Sequence, residues 1–237
     1  MNIDPTKPQD RVEPSSRTRI RRLPERGAYD RSTIDGILDE ALNCHVGFVV
    51  DGQPYVIPTI HARDGDHLYL HGSSASRMLR TLTGGVPVCV TVTIQDGLVL
   101  ARSAFHHSMN YRSVVVLGTG VQVVDPGEEL HALEVISEHM TPGRWAEVRP
   151  PNDRELGQTR VLRIELEEAS AKIRSGGPND DEEDLGWPVW SGLLPVRLVA
   201  EAPRRGGDVP SAIELPDYLR HHRLRADGRG RDWMSPA

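Results

Sequence analysis

The sequence predicts a mainly β fold with some α, an antiparallel β-barrel decorated by short helices. Three observations predict it. About seven runs are apolar, β-branched or alternating over strand length. Most are joined by tight Asp-Gly or Gly-rich turn signals rather than by crossover helices. Helical periodicity is confined to a few segments.

The elements follow in chain order. Residues 1–28 are rich in Arg, Pro, Ser and Glu without an apolar period, and read as a flexible N-terminal arm. From Asp30, Ile34, Ile37, Leu38, Ala41 and Leu42 recur at helical spacing, which predicts a helix ending near Asn43. Residues 45–50 and 55–62 read as strands around the Asp51-Gly52 hairpin signal. Pro58 inside the second marks an edge, a bulge or a ladder interrupted for a ligand. Asp64-Gly65 leads into a strand over 67–71, and 77–82 read as a short helix. Residues 86–94 alternate, Gln95-Asp96-Gly97 reads as a turn, and 98–105 and 111–124 read as strands. Asp125-Pro126-Gly127 opens a helix to about Met140, and 159–173 read as one last long strand. The 237 residues therefore divide into the arm, a domain over 29–200, and an Arg/Gly/Pro-rich tail over 201–237 with a short helix near 215–221. A barrel of this size has room only for side chains, so a ligand is expected at its mouth or at a subunit interface.

Composition removes several classes. No apolar stretch approaches the roughly 18–20 residues that cross a bilayer, so no membrane partner is expected. The start lacks the apolar core of a secretory signal. Cys44 and Cys89 lie in apolar surroundings outside any C-x-x-C, as reduced thiols of a cytoplasmic protein do. The net charge is −6, and the basic groups at 17–22 and 223–231 carry no aromatic interleaving. Nucleic acid is therefore not expected as a partner.

The most informative segment is His71-Gly72-Ser73-Ser74-Ala75-Ser76-Arg77. Small residues admit a ligand close to the backbone, hydroxyls and N–H groups donate to phosphate oxygens, and Arg77 at a helix start adds a cation. The alternative is an ordinary polar loop with a capping serine. Gly118-Thr119-Gly120 does not open a helix and no G-x-x-x-x-G-K-[ST] occurs, so neither common nucleotide fingerprint is present. His131, Glu134, Glu138 and His139 lack H-E-x-x-H and read as a solvated helix face, so no metal site is expected. His106 and His107 are adjacent and point to opposite faces of a strand. His71 ends a strand directly before the loop, either as a structural histidine or as a ligand-facing catalytic one. Arg112 and Ser113 open an apolar strand, where a charge faces a ligand or pairs with a carboxylate.

The order of these pieces resembles the pyridoxamine 5′-phosphate oxidase-like FMN-binding split β-barrels, in particular the flavin-nucleotide-binding branch that includes the nitroimidazole-resistance proteins. The resemblance rests on the 30–43 helix, D-G-Q-P-Y-V-I-P-T, D-G-D-H-L-Y-L-H-G, S-A-S-R, V-P-V-C-V-T-V, H-H-S-M-N-Y-R-S-V-V-V-L-G, A-K-I-R-S-G-G-P and W-P-V-W-S-G-L-L-P. It implies a split barrel with FMN at the interface of a homodimer. Tyr55, Val56, Ile57, Pro58, Thr59 and Ile60 would then lie along the isoalloxazine and ribityl chain, partly through backbone groups. His71 would approach the flavin, with Gly72 and Ser74 in the turn. Ser73, Ser76 and Arg77 would hold the 5′-phosphate beside Met78. Arg112 and Ser113 fall where the oxidases carry Arg-Gln, and Lys172 and Trp190 where a partner subunit nears the cofactor. The C-terminal substrate-binding signature of the true oxidases has no clear counterpart, which argues against pyridoxamine phosphate as substrate.

The implied function is an FMN-dependent oxidoreductase that reduces a small or aromatic electrophile with nicotinamide-derived electrons. The alternatives are a flavin carrier without turnover, and a split barrel that binds haem or F420, with His71 or His107 as a haem ligand. Trp187 and Trp190 in an apolar segment favour a homodimer.

Overall fold

The computed structural model describes residues 11–220. Among them are ten strands: β1 (Gly27–Ala28), β2 (Asn43–Val50), β3 (Gln53–Asp64), β4 (His67–Ser73), β5 (Pro87–Leu100), β6 (Ser108–Thr119), β7 (Val121–Gln122), β8 (Thr159–Glu165), β9 (Glu168–Arg174) and β10 (Gly192–Pro195). The helices are α1 (Arg31–Glu40), α2 (Arg77–Leu82), α3 (Pro126–Met140), α4 (Asp153–Gln158) and α5 (Asp217–Arg220). Every pairing is antiparallel, in the order β1-β9-β6-β5-β2-β3-β4-β8-β7, with β10 beside β5. The path does not close on itself, which is the split form of barrel that the family resemblance implies.

Local chemistry sets the main elements. Asp51 and Gly52 both take left-handed φ (51° and 79°), as a two-residue hairpin between β2 and β3 requires. Asp30 caps α1 by accepting from the Thr33 N–H, and Asp125 caps α3 by accepting from the Glu128 N–H. α1 buries Ile34, Ile37 and Leu38. They meet Val46 on β2, Leu68 and Leu70 on β4, Val90 and Val92 on β5, Val114 and Val116 on β6, and Ile164 on β8. A second apolar cluster lies on the other side of β3, β4 and β8. There Ala62, Tyr69 and Val161 pack against Ala132 and Ile136 of α3.

Four features differ from the expected elements. Residues 87–100 form one strand, and Gln95-Asp96-Gly97 is a register shift within it rather than a turn. A Cβ at Gly97 would stand 2.8 Å from the Leu193 side chain, so the glycine admits β10 instead of reversing the chain. The predicted 159–173 strand is two strands. β8 pairs with β4, β9 pairs with β6, and the chain passes from one side of the barrel to the other between them. α4 was not expected, and an Asn152–Glu155 capping box starts it. The described part of the predicted arm lies against the sheet. Val12 is buried, Arg17 pairs with Glu168, and β1 pairs with Lys172 and Ala171 of β9. In the tail, the Tyr218 hydroxyl donates to Glu147 (2.6 Å) and accepts from Arg144 (3.1 Å), so α5 lies beside the end of α3.

Candidate functional site

The site forms where β3, β4 and α2 converge. β2 pairs with β3 along its whole first part, from Gln53 to Ile60. β4 pairs with β3 only from His61 to Asp64. The far edge of β3 over 53–60 is therefore unpaired by β4, and its backbone groups are available to a ligand. Val56, Ile57 and Pro58 are exposed there, while Tyr55, Thr59 and Ile60 are half-buried. Pro58 thus marks an edge, one of the roles its position in the sequence allows.

The Gly/Ser turn lies between β4 and α2. Ser74 N–H donates to the Gln158 carbonyl (2.8 Å), and Ser76 N–H to the Ser73 carbonyl (2.8 Å). The Ser73 hydroxyl accepts from the Ala75 N–H (3.2 Å). A Cβ at Gly72 would meet Leu79 at 3.2 Å, so glycine lets α2 sit close to β4. Met78, Leu79 and Leu82 anchor α2 in the core. Ser76 is the N-cap residue of α2, yet its hydroxyl makes no capping bond. Arg77 is exposed, with its guanidinium carbon 4.4 Å from the centre of the Tyr55 ring. The structure therefore brings Tyr55, the turn from Gly72 to Ser76, and Arg77 together.

His71 faces away from the main core. Leu68 and Leu70 point into that core, while Tyr69 joins the cluster under α3. His71 shares the Tyr69 face, as strand alternation requires. Its Nδ1 is buried with no hydrogen-bond partner, and burial holds its pKa below the ordinary value. It lines a cleft of about 530 Å³ with Ile60, Leu133, Ile136 and Met140 on apolar walls and Arg144, Trp145 and Arg149 from the segment after α3. Arg149 is held by Glu155 at 2.7 and 2.9 Å. This second wall has no signal in the sequence, because Arg144, Trp145 and Arg149 belong to a segment without periodicity.

The other expected residues lie elsewhere on the chain. Arg112, Ser113 and Lys172 are on β6 and β9, separated from β4 by β3, β2 and β5 in the sheet order. Arg112 is consumed by carboxylates. It pairs with Asp96 at 2.7 and 2.9 Å and with both oxygens of Glu40. Among the two readings open for Arg112, the geometry matches the carboxylate pair. Ser113 and Lys172 are register partners, and the Ser113 hydroxyl donates to the Lys172 carbonyl (3.3 Å). Lys172 Nζ donates to the Arg22 carbonyl (3.2 Å). Trp190 is 68% exposed and lies over Gly192, where a Cβ would come within 2.8 Å of the indole. None of the described helices is long and apolar enough to cross a membrane.

An open antiparallel barrel with a Gly/Ser turn, a basic residue and a free strand edge defines the class of the split barrels of pyridoxamine-phosphate-oxidase type. The chain belongs to the pyridoxamine 5′-phosphate oxidase family, whose model matches residues 30–173. It is similar to the flavocytochrome Anf3 from Azotobacter vinelandii, with 37% identity over 87% of this chain and 96% of that one, and a TM-score of 0.83. It is similar to the FAD and haem binding protein from Mycobacterium smegmatis, with 34% identity over 82% of this chain and 96% of that one, and a TM-score of 0.79. A protein from Bacteroides thetaiotaomicron VPI-5482 named for 5-nitroimidazole antibiotic resistance shares 26% identity over 62% of this chain and 86% of that one, with a TM-score of 0.53. No curated protein matches the chain in sequence.

Proposed function

We propose that this protein is a flavin-dependent redox protein that takes electrons from a nicotinamide and passes them to a small or aromatic acceptor. The observation that carries the reading is the unpaired β3 edge running beside a Gly/Ser turn with Arg77 at its end. That edge offers backbone donors and acceptors to a flat ring system, and Val56, Ile57 and Pro58 offer it apolar surface. The turn offers the Ser76 hydroxyl, and Arg77 a cation, to the phosphate of a flavin nucleotide. FMN is the nucleotide that the sequence resemblance implies, whereas the Mycobacterium smegmatis relative is named for FAD. Extraction of the bound flavin and chromatography against both standards separates the two. If neither is found, and the apo-protein binds neither, the reading fails.

A second cofactor is favoured by His71. Relatives at 37% and 34% identity are named for a flavocytochrome and for haem binding. The residues fit a haem. His71 makes no hydrogen bond among the described residues, burial keeps it neutral, and a neutral imidazole is an iron ligand. Leu133, Ile136 and Met140 supply apolar walls, and Arg144 and Arg149 supply cations for the haem carboxylates. When bound, the flavin accepts a hydride and the haem carries single electrons. The protein's part is to anchor, to exclude water and to hold the imidazole neutral. In this arrangement His71 would hold the iron rather than act as the catalytic residue that the sequence allows. His71→Ala then keeps flavin and loses the Soret band. Retention of haem by the variant removes His71 as its ligand.

The chain pairs with a second copy in this reading. Trp187, Trp190, Leu194 and Leu198 are 64%, 68%, 51% and 61% exposed in the single chain. Such a contiguous apolar segment is what a partner covers.

A further inference from the structure

Arg77 differs from five arginines of the barrel that carboxylates hold. Arg31, Arg63, Arg102, Arg112 and Arg163 each pair with a carboxylate. Arg77 has no hydrogen bond or ion pair among the described residues, in a chain that carries 34 acidic side chains against 28 basic ones. What holds it is a ring. Its guanidinium carbon lies 4.4 Å from the centre of Tyr55. The Tyr55 ring is in turn stacked on Phe48, with centroids 5.6 Å apart and planes at 19°. Phe48 is the cross-strand partner of Tyr55 and is only 4% exposed, so the stack is founded in the core. A cation–π contact fixes the charge while using none of the five N–H donors. A carboxylate in the same place would occupy the donors and cancel the charge.

We propose that Tyr55 is a positioning and specificity-determining residue. It holds Arg77 over its ring face with the donors free, so that the guanidinium is preorganised for the phosphate ester of a flavin nucleotide. This rests on the flavin reading above, and it gives Tyr55 a role in discriminating nucleotide from riboflavin rather than in contacting the flavin ring. The phenol hydroxyl has no part in it; the ring face does.

The test titrates apo-protein with FMN, FAD and riboflavin, with melting temperature recorded for every variant. Tyr55→Leu is expected to weaken FMN and FAD binding by about 3- to 30-fold and to leave riboflavin within about twofold. Tyr55→Phe is expected to restore the wild-type preference for phosphate. In an Arg77→Ala background, Tyr55→Leu is expected to add almost nothing, because the two changes remove one interaction. If Tyr55→Leu does not fold, Tyr55→Met takes its place. Equal losses for riboflavin and FMN overturn the proposal, because Tyr55 then touches the ring system. Failure of Tyr55→Phe to rescue overturns it as well, as does full additivity with Arg77→Ala. A wild type that prefers phosphorylated flavin with Tyr55→Leu unchanged overturns the proposal and leaves the flavin reading standing. A wild type that binds no flavin ends both.

Discussion

Arg112→Gln separates a structural from a cofactor role at the position where the sequence left both open. The Arg112 side chain is 14% exposed, and its partners Glu40 and Asp96 are 11% and 15% exposed. Each carboxylate is gripped by two guanidinium nitrogens, so one cation ties the end of α1 to the β5 bulge. Removing it leaves two carboxylates facing one another with little water. Breaking a buried pair in this way costs about 3–5 kcal/mol, a large fraction of the roughly 5–15 kcal/mol stability of a domain. Urea denaturation measures that cost, and flavin titration well below the melting temperature measures the cofactor. The expected result is a lower midpoint with flavin affinity within about threefold of wild type. A loss below ~1 kcal/mol together with loss of flavin would refute the reasoning and return Arg112 to the flavin site.

Three further outcomes follow from the geometry. Arg77→Ala is expected to weaken FMN by about ten- to a hundredfold with little effect on riboflavin, measured by titration of apo-protein; an unchanged dissociation constant removes Arg77 from the site. His61 is fully buried, its Nε2 donates to the Leu38 carbonyl at 3.0 Å, and burial with the neighbouring His139 pushes its pKa from 6.5 down to about 4. The unfolded chain binds the extra proton between those values, so about 3 kcal/mol of stability present above pH 6.5 is lost as pH falls toward 4. His61→Gln is expected to flatten that slope in pH-dependent melting, and an unchanged slope assigns it to other groups. Light scattering is expected to show a dimer that Trp187→Ser with Trp190→Ser shifts toward monomer, whereas a monomeric wild type at micromolar concentration contradicts a partner on that segment.

Much of the barrel was legible because alternation and turn chemistry are local. Asp51-Gly52 marks its hairpin, and Asp125 with Pro126 marks the start of α3. The α2 prediction over 77–82 coincides with the observed helix. What was hidden depends on chain that arrives later. Asp96-Gly97 carries a turn signal, yet the pressure on Gly97 comes from Leu193, nearly a hundred residues on. The break between β8 and β9 has a local trace in the sequence. Leu162, Ile164 and Leu166 are buried at even positions, then Ala169 and Ala171 at odd ones, so the phase slips at Glu167. The capping box at Asn152 is likewise a local signal, Asn152 with Glu155 three residues on. The site was legible as a loop, since small residues before a basic one need no tertiary context. Most of its geometry was not. Phe48 behind Tyr55 follows from the register of the Asp51-Gly52 hairpin, whereas Glu40 on Arg112 and the Arg144–Arg149 wall facing His71 are long-range contacts with no spacing in sequence.

The most direct test is the absorption spectrum and cofactor count of the full chain purified from cells supplied with riboflavin and a haem precursor. The account predicts flavin bands and a Soret band together, at about one of each per chain, with His71→Ala keeping the first and losing the second. A chain that carries neither chromophore, and takes up neither FMN, FAD nor haemin on reconstitution, would contradict it.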